Sequence, residues 1–176
     1  MTSPFVAPDR DARQLYHIAS SPIGRLLLLG DGHALTGLWM IDAERHTSRL
    51  VDGLTPAPEA FREVEIQLEA YFAGDLKEFT VPLAPSGTPF QMAVWTELTK
   101  IPYGSTVSYG DIARALGKRL VASRAVGLAN GSNPISVIVP CHRVIGGDGR
   151  LTGYGGGLER KELLLRLEGA GPVTLW

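Results

Sequence analysis

A stretch rich in proline, glycine and serine at residues 81–89 (VPLAPSGTP) divides the sequence into two halves that differ in charge. Residues 1–87 carry 12 acidic and 7 basic side chains, a net charge of −5. Residues 88–176 carry 6 acidic and 10 basic side chains, a net charge of +4, so the overall charge of −1 averages two unlike halves. Because clustered proline and glycine interrupt regular structure, the sequence predicts two domains, residues 1–87 and residues 88–176.

The composition excludes several classes of protein. A length of 176 residues with 44% hydrophobic and 20% charged residues is typical of a globular chain and not of a disordered or fibrous one. The single cysteine, Cys141, excludes an intramolecular disulfide and a multi-thiolate metal site. Residues 1–11 lack the basic-then-apolar pattern of a targeting segment, and no apolar run is long enough to span a membrane. We therefore expect a cytoplasmic protein without membrane association.

The first half has the pattern of a small α+β domain. Its apolar residues between Phe61 and Phe72 recur at helical spacing and are followed by Gly74, which predicts a helix ending there. Short apolar runs bounded by turn residues predict strands at residues 14–19, 25–29, 35–40 and 79–83. Three histidines lie in this half without the spacing of metal ligands, so we interpret each as a surface or hydrogen-bonded core histidine: His17, His33 and His46.

The second half is predicted to be mainly helical. Thr88 with Gln91, and Ser108 with Asp111, have the spacing of capping boxes and predict two helix starts. A third helix is predicted at about residues 121–130. The last two helices, joined by a short turn after Gly117, have the length of a helix-turn-helix, although many helix pairs without a DNA partner look the same.

The third helix and its surroundings favour a polyanionic partner. Arg124 is the one long polar residue among small residues of that helix, so the helix can approach a backbone closely. Residues 100–150 contain seven basic and two acidic side chains. The charge count alone favours a solvated charged surface over a polyanion site, and small residues also permit tight packing between helices.

Candidate chemistry concentrates at Cys141. The β-branched run at residues 135–139 predicts a buried strand that Pro140 ends just before the thiol. We interpret His142 and Arg143 as neighbouring cations that favour the thiolate. A closing helix is predicted at residues 158–167. One carboxylate within it and one directly after it are candidates to orient the histidine: Glu162 and Glu168. This arrangement alone also fits a cysteine hydrolase.

Together these motifs resemble the O6-alkylguanine-DNA alkyltransferase family, also called methylated-DNA–protein-cysteine methyltransferases. The resemblance rests on Ile101-Pro102-Tyr103-Gly104, Ser108-Tyr109, Arg124-Ala125-Val126-Gly127, Asn133-Pro134, Ile138-Val139-Pro140-Cys141-His142-Arg143-Val144 and Gly153-Tyr154 followed by three glycines. It implies an α+β, ribonuclease-H-like N-terminal domain followed by a mainly helical C-terminal domain with a winged helix-turn-helix. The match is looser in the N-terminal half.

The resemblance also implies a role for each site residue. Cys141 accepts an alkyl group from O6 of guanine, and activity on O4 of thymine is left open by the sequence. His142 takes the thiol proton through a water, and Glu168, rather than Glu162, orients the imidazole. The pocket for the flipped guanine is lined by Tyr109, Val144, Tyr154 and Gly155, and Gly155 replaces a serine of several relatives, which implies a roomier pocket. The DNA-binding residues are Arg124, Ala125, Gly127 and Asn133. Of these, Arg124 enters the base stack, and Asn133 ties the helix to the active-site segment.

The partner implied is double-stranded DNA containing O6-alkylguanine, bound through its minor groove by a monomer that needs no cofactor and no metal. Flipping is required because a buried sulfur does not reach a base edge inside an intact duplex. A thioether resists hydrolysis and the chain has no second thiol, so each molecule is expected to act once. Two alternatives remain: a DNA-binding regulator or lesion-recognition module, which does not depend on Cys141, and a cysteine hydrolase, which does not depend on Arg124.

Overall fold

The computed structural model describes residues 3–9, 11–41 and 50–170, and the chain divides into two compact units, Met1–Ser86 and Gly87–Trp176. Within its described residues, the first unit combines a sheet with one long helix. The second unit is mainly helical. Among the described residues, no helix is both long and apolar enough to cross a membrane.

The sheet of the first unit has four strands in the order β3-β2-β1-β4. Strand β1 pairs antiparallel with β2, β2 pairs antiparallel with β3, and the short β4 joins the other edge of β1 in parallel. The strands are β1 (Leu15–Ser21), β2 (Gly24–Gly30), β3 (Leu35–Ile41) and β4 (Thr55–Pro56). The three predicted N-terminal strands are thus confirmed, with Leu26, Leu27 and Leu28 of the central strand fully buried.

The long helix of the first unit, α1 (Arg62–Ala73), is also confirmed. It buries Val64, Leu68 and Tyr71, and Gly74 ends it with the left-handed φ of 84° that favours glycine. The predicted strand at residues 79–83 is wrong. Only a single bridge joins Leu83 to Leu35, because Pro82 has no N–H to extend a ladder.

Of the three histidines in this half, two lie in the described residues. His17 of β1 forms a 2.9 Å contact with the carboxylate of Glu65 on α1. His33 lies in the turn after β2, where its backbone N–H donates to Asp31. The prediction for His46 falls outside the described residues.

The second unit begins with the two predicted capping boxes. Thr88 caps α2 (Pro89–Leu98), and Ser108 caps α3 (Tyr109–Ala115). In each, the cap side chain accepts from the backbone N–H of the third helical residue, whose own side chain accepts from the backbone N–H of the cap. The third helix, α4 (Ser123–Gly131), is preceded by a 3-10 turn at Leu120–Ala122. The indole N–H of Trp95 on α2 donates to the carbonyl of Ala129 on α4, which fixes these two helices together.

The predicted strand at residues 135–139 is wrong, although its burial is right. The run is a compact turn because Asn133 bridges it: its Nδ2 donates to the carbonyls of Val139 (2.8 Å) and Ile135 (3.3 Å). The N–H of Ile135 returns a bond to Asn133 Oδ1. Val137 takes a positive φ of 70°, which an extended strand does not contain.

The segment that follows the thiol returns to the start of α3. Strand β6 (Val144–Ile145) pairs in parallel with β5 (Val107–Ser108), the strand that runs into α3. Helix α5 (Leu158–Leu167) closes the second unit as predicted.

Candidate active site

Cys141 lies at the end of the turn that Asn133 organises and is only 4% exposed. It begins a short 3-10 helix, Cys141–Arg143, so its neighbour His142 is not held on the opposite side as it is in a strand. The side-chain amide of Asn130 on α4 lies 3.4 Å from its carbonyl oxygen. Burial raises the pKa of Cys141, whereas a hydrogen bond from Asn133 and the charge of Lys161 lower it. The thiol is therefore a buried group whose ionisation depends on its neighbours.

His142 is held in one orientation by Glu168. Its Nε2 lies 2.8 Å from Glu168 Oε1, and both side chains are fully buried. Because a carboxylate only accepts, Nε2 carries the proton and donates it, which leaves Nδ1 as the basic nitrogen. Burial lowers the pKa of His142, so the imidazole is neutral near pH 7. In the described part of the chain no residue hydrogen-bonds to Nδ1.

Arg143 shares the same carboxylate. Its Nε and Nη2 donate to the two oxygens of Glu168 at 2.8 and 2.9 Å, and its Nη1 donates to the carbonyl of Ile101. The backbone N–H of Gly104 donates to Glu168 as well. Burial acts to raise the pKa of Glu168, but the bonds and charges of His142 and Arg143 lower it to about 2. Glu168 is thus a carboxylate at any pH at which the protein works.

Lys161 is a second buried cation of the site. It is 0% exposed, and its Nζ donates to the carbonyls of Val144 at 2.6 Å and Thr152 at 2.8 Å. Burial lowers the pKa of Lys161 to about 8, while the nearby Cys141 acts to raise it. The charge that favours the thiolate is therefore that of Lys161. His142 and Arg143, interpreted from the sequence as cations that favour the thiolate, are both hydrogen-bonded to Glu168.

An open cleft of about 630 Å³ lies between α4, the start of α3 and the glycine-rich segment before α5. Its lining includes Tyr109, Arg124, Gly127, Leu128, Thr152, Tyr154 and Gly155. The Thr152 hydroxyl donates to the Tyr109 hydroxyl at 3.3 Å. A Cβ at Gly155 would have Gly131 O, at 4.0 Å, as its nearest neighbour, so the wall is open at this position. The cleft has the volume of a site for a small organic ligand.

Two family models together match nearly the whole described chain. Residues 14–85 match the 6-O-methylguanine DNA methyltransferase ribonuclease-like domain, and residues 89–170 match the DNA-binding domain of the same family. A methylated-DNA–protein-cysteine methyltransferase of Methanosarcina acetivorans is 54% identical over 88% of this chain and 98% of its own length. The chain belongs to the 6-O-methylguanine DNA methyltransferase family.

Other members of this family are equally similar. The methylated-DNA–protein-cysteine methyltransferase of Mycobacterium tuberculosis is 56% identical over 87% of this chain and 91% of its own length. The crystal structure of the M. tuberculosis O6-methylguanine methyltransferase superposes with a TM-score of 0.80 at 52% identity, over 92% of this chain and 97% of that one. A structure of the M. tuberculosis protein OGT in complex with DNA gives 0.80 at 54% identity, over 88% of this chain and 92% of that one.

The structure brings the residues named from the family resemblance into two groups. Cys141, His142 and Glu168 belong to the buried network, with Asn133 in the turn that precedes them. Of the pocket and DNA-binding residues, Tyr109, Arg124, Gly127, Tyr154 and Gly155 line the cleft. Val144 is buried, with its carbonyl bound to Lys161, and Ala125 is exposed on α4. Glu162, the other candidate carboxylate, instead pairs with Arg166.

Sequence reasoning missed Lys161, Thr152 and the pairing of Arg143 with Glu168. A signal for Lys161 does exist: with Leu164, Leu165 and Glu168 it follows the spacing of the buried face of α5. Thr152 carries no such signal, because its contact with Tyr109 joins positions 43 residues apart. Among the described residues, no group of three or more His, Cys, Asp or Glu side chains is arranged to hold a metal.

Proposed function

We propose that the chain repairs alkylated DNA by direct reversal, moving an alkyl group from O6 of guanine to Sγ of Cys141. The observation that carries this proposal is the buried network in which Glu168 holds His142, the residue that follows Cys141 in the same 3-10 helix, by Nε2 and leaves its Nδ1 as the basic nitrogen. Family membership supports the same reaction, since relatives more than half identical are named methylated-DNA–protein-cysteine methyltransferases.

The reaction is a displacement at the alkyl carbon. His142 takes the thiol proton of Cys141, through a water, and the charge of Lys161 favours the thiolate that remains. The sulfur attacks the alkyl carbon, an S–C bond forms and the C–O6 bond breaks. Its electron pair stays on guanine, which takes up one proton, so thiol and alkylguanine become thioether and guanine. Glu168 is a positioning residue because it fixes the imidazole without touching the substrate.

The guanine reaches the thiol only after leaving the duplex. A base edge inside stacked DNA is out of reach of a side chain that is 4% exposed, so the nucleotide is flipped outward. Tyr109, Tyr154 and Gly155 of the cleft, with the backbone of Val144, receive the flipped base. Arg124, exposed on α4, takes its place in the stack.

DNA binding belongs to the second unit. Helices α3 and α4 act as a helix-turn-helix, and β5 with β6 supplies a wing. Helix α4 enters the minor groove, where Ala125 and Gly127 permit close approach and Asn133 links the helix to the thiol segment. The structure of a relative in complex with DNA, which has a TM-score of 0.80, supports DNA as the partner.

The remaining features follow from the same proposal. The first unit is a ribonuclease-H-like domain, in keeping with the family model that matches it. The protein binds as a monomer in the compartment that holds DNA. Each molecule acts once, because a thioether on Cys141 is not hydrolysed and the chain has no second cysteine.

A direct test is exposure of the protein to a duplex containing one O6-methylguanine, followed by mass spectrometry of the intact chain and its peptides. We expect one added methyl group, located on Cys141. The matched variant Cys141→Ser should bind the same duplex and acquire no methyl group. Binding of the wild-type chain without methyl transfer would instead indicate a lesion-recognition module, and transfer to another residue would disprove the role of Cys141.

A further inference from the structure

The outward face of α4 carries one large apolar side chain. The helix buries Val126, Ala129 and Asn130, and its remaining residues are mostly small. Leu128 is the exception, because 73% of its surface is exposed. It lies one helical turn after Arg124, and both side chains line the open cleft.

A single exposed leucine is common on protein surfaces and by itself indicates nothing. The position of Leu128 distinguishes it from Leu163 on α5, which is 50% exposed but does not line the cleft. Val121, in the 3-10 turn that leads into α4, is 84% exposed. Arg124 therefore has an exposed apolar side chain one turn before it, Val121, and another one turn after it, Leu128.

The charges around this surface favour DNA as its occupant. Residues 112–147 contain no acidic side chain, whereas they contain Arg114, Lys118, Arg119, Arg124 and Arg143. Arg143 is buried in the active site, and the other four are exposed. Such a segment attracts the phosphates of a polyanion. Leucine itself gains nothing from phosphates, so it needs the apolar part of the same ligand: the deoxyribose walls and base edges of the groove.

We propose that Leu128 is an apolar wedge that packs into the minor groove beside Arg124, so that part of the DNA affinity does not depend on salt. The inference rests on the proposed function, since it takes the DNA substrate as given and adds a contact to it. Removal of an apolar contact lowers the affinity by the same factor at every salt concentration. Loss of a phosphate contact, in contrast, changes the slope of log affinity against log salt by about 0.9.

The test measures the dissociation constant for a duplex containing O6-methylguanine over a range of salt concentrations. We expect Leu128→Ala to bind about tenfold more weakly at each concentration, with an unchanged salt slope. The factor corresponds to roughly two methylene groups that no longer contact the DNA. Leu128→Met, which keeps the apolar bulk, and Leu163→Ala, the same truncation at another exposed leucine, should bind as the wild type does. Equal thermal unfolding midpoints of the four proteins verify that all are folded.

Two results would overturn the wedge: wild-type affinity of Leu128→Ala, or a changed salt slope in that variant. If the wild-type chain still transfers the methyl group in that case, the proposed function stands and only the wedge is wrong. If the wild-type chain neither binds the duplex nor transfers the group, the proposed function and the wedge fail together.

Discussion

At the scale of single residues, the site depends on two buried charged side chains, Lys161 within α5 and Glu168 directly after it. Burial of an ion costs several kcal/mol unless partners compensate it. Glu168 has Arg143 as a bidentate partner, whereas the partners of Lys161 among the described residues are two backbone carbonyls and the nearby Cys141. Family resemblance predicted Glu168 and its contact with His142. Lys161 was not predicted because a lysine in a charged helix is read by default as solvent-exposed.

Replacing Lys161 by methionine tests its effect on the thiol. Without the positive charge, which lowers the pKa of Cys141, we expect that pKa to rise further above its ordinary value. The rate of alkylation of Cys141 by iodomethane is measured against pH without DNA. The pH at which this rate reaches half its maximum should be higher in Lys161→Met than in the wild type. Lys100→Met, at an exposed lysine paired with Glu97, should leave the profile unchanged. A Lys161→Met profile that superimposes on that of the wild type would refute the electrostatic role.

Glu168 predicts a pH dependence of stability. Its pKa is about 2 in the folded chain against an ordinary value of 4.5, so the stability it contributes is present above 4.5 and is lost as the pH falls towards 2. Glu168→Gln leaves the guanidinium of Arg143 buried without its counter-charge. We expect a loss of about 3–5 kcal/mol in the free energy of unfolding at neutral pH.

Urea denaturation of the wild type and Glu168→Gln at neutral pH and near pH 3 measures this difference. The gap between the two proteins should narrow in acid, because the wild-type carboxylate begins to lose its advantage there. A gap of the same size at both pH values would contradict the assignment of the depressed pKa.

At the scale of elements, local sequence signals predicted helix starts well and buried irregular segments poorly. Thr88 and Ser108 predict the starts of α2 and α3 correctly because a capping box is a contact within four residues. The turn at 135–139 has the composition of a strand, and only the bonds of Asn133 bend it. The pattern of alternating or β-branched residues reports burial, and it does not report which backbone shape achieves that burial.

Asn133→Ala should therefore loosen the turn that carries Cys141. The variant loses the two bonds donated to Val139 and Ile135 and the one accepted from Ile135, and we expect a loss of roughly 2–4 kcal/mol in the free energy of unfolding. Ser136→Ala is the control within the same turn, since it leaves these three bonds intact. A change within about 0.5 kcal/mol for Asn133→Ala would show that the amide does not organise the turn.

At the scale of the whole molecule, an acidic half and a basic half give a nearly neutral chain of net charge −1. The proline- and glycine-rich stretch at residues 81–89 predicted the division of the chain, and charge counted by half, rather than in total, showed the basic second part that a polyanionic partner requires. The cleft was not predictable in shape, because it joins α3, α4 and a segment near residue 153 that are far apart in sequence. The family resemblance supplied the residues, and the fold supplied their grouping.

The basic segment predicts how DNA affinity responds to salt. If Lys118, exposed before α4, contacts a phosphate, Lys118→Ala should reduce the slope of log affinity against log salt by about 0.9. Lys77→Ala, an exposed lysine of the acidic half, should leave the slope unchanged. Equal slopes for the wild type and Lys118→Ala would remove Lys118 from the phosphate contacts.

The central claim is that Cys141 is consumed as the acceptor of the alkyl group. The most direct test mixes a known amount of the protein with a molar excess of duplex containing O6-methylguanine and counts the restored guanines at completion. One guanine restored per wild-type molecule, and none by Cys141→Ser, is the predicted result. Continued restoration beyond one per molecule, or any restoration by Cys141→Ser, would contradict it.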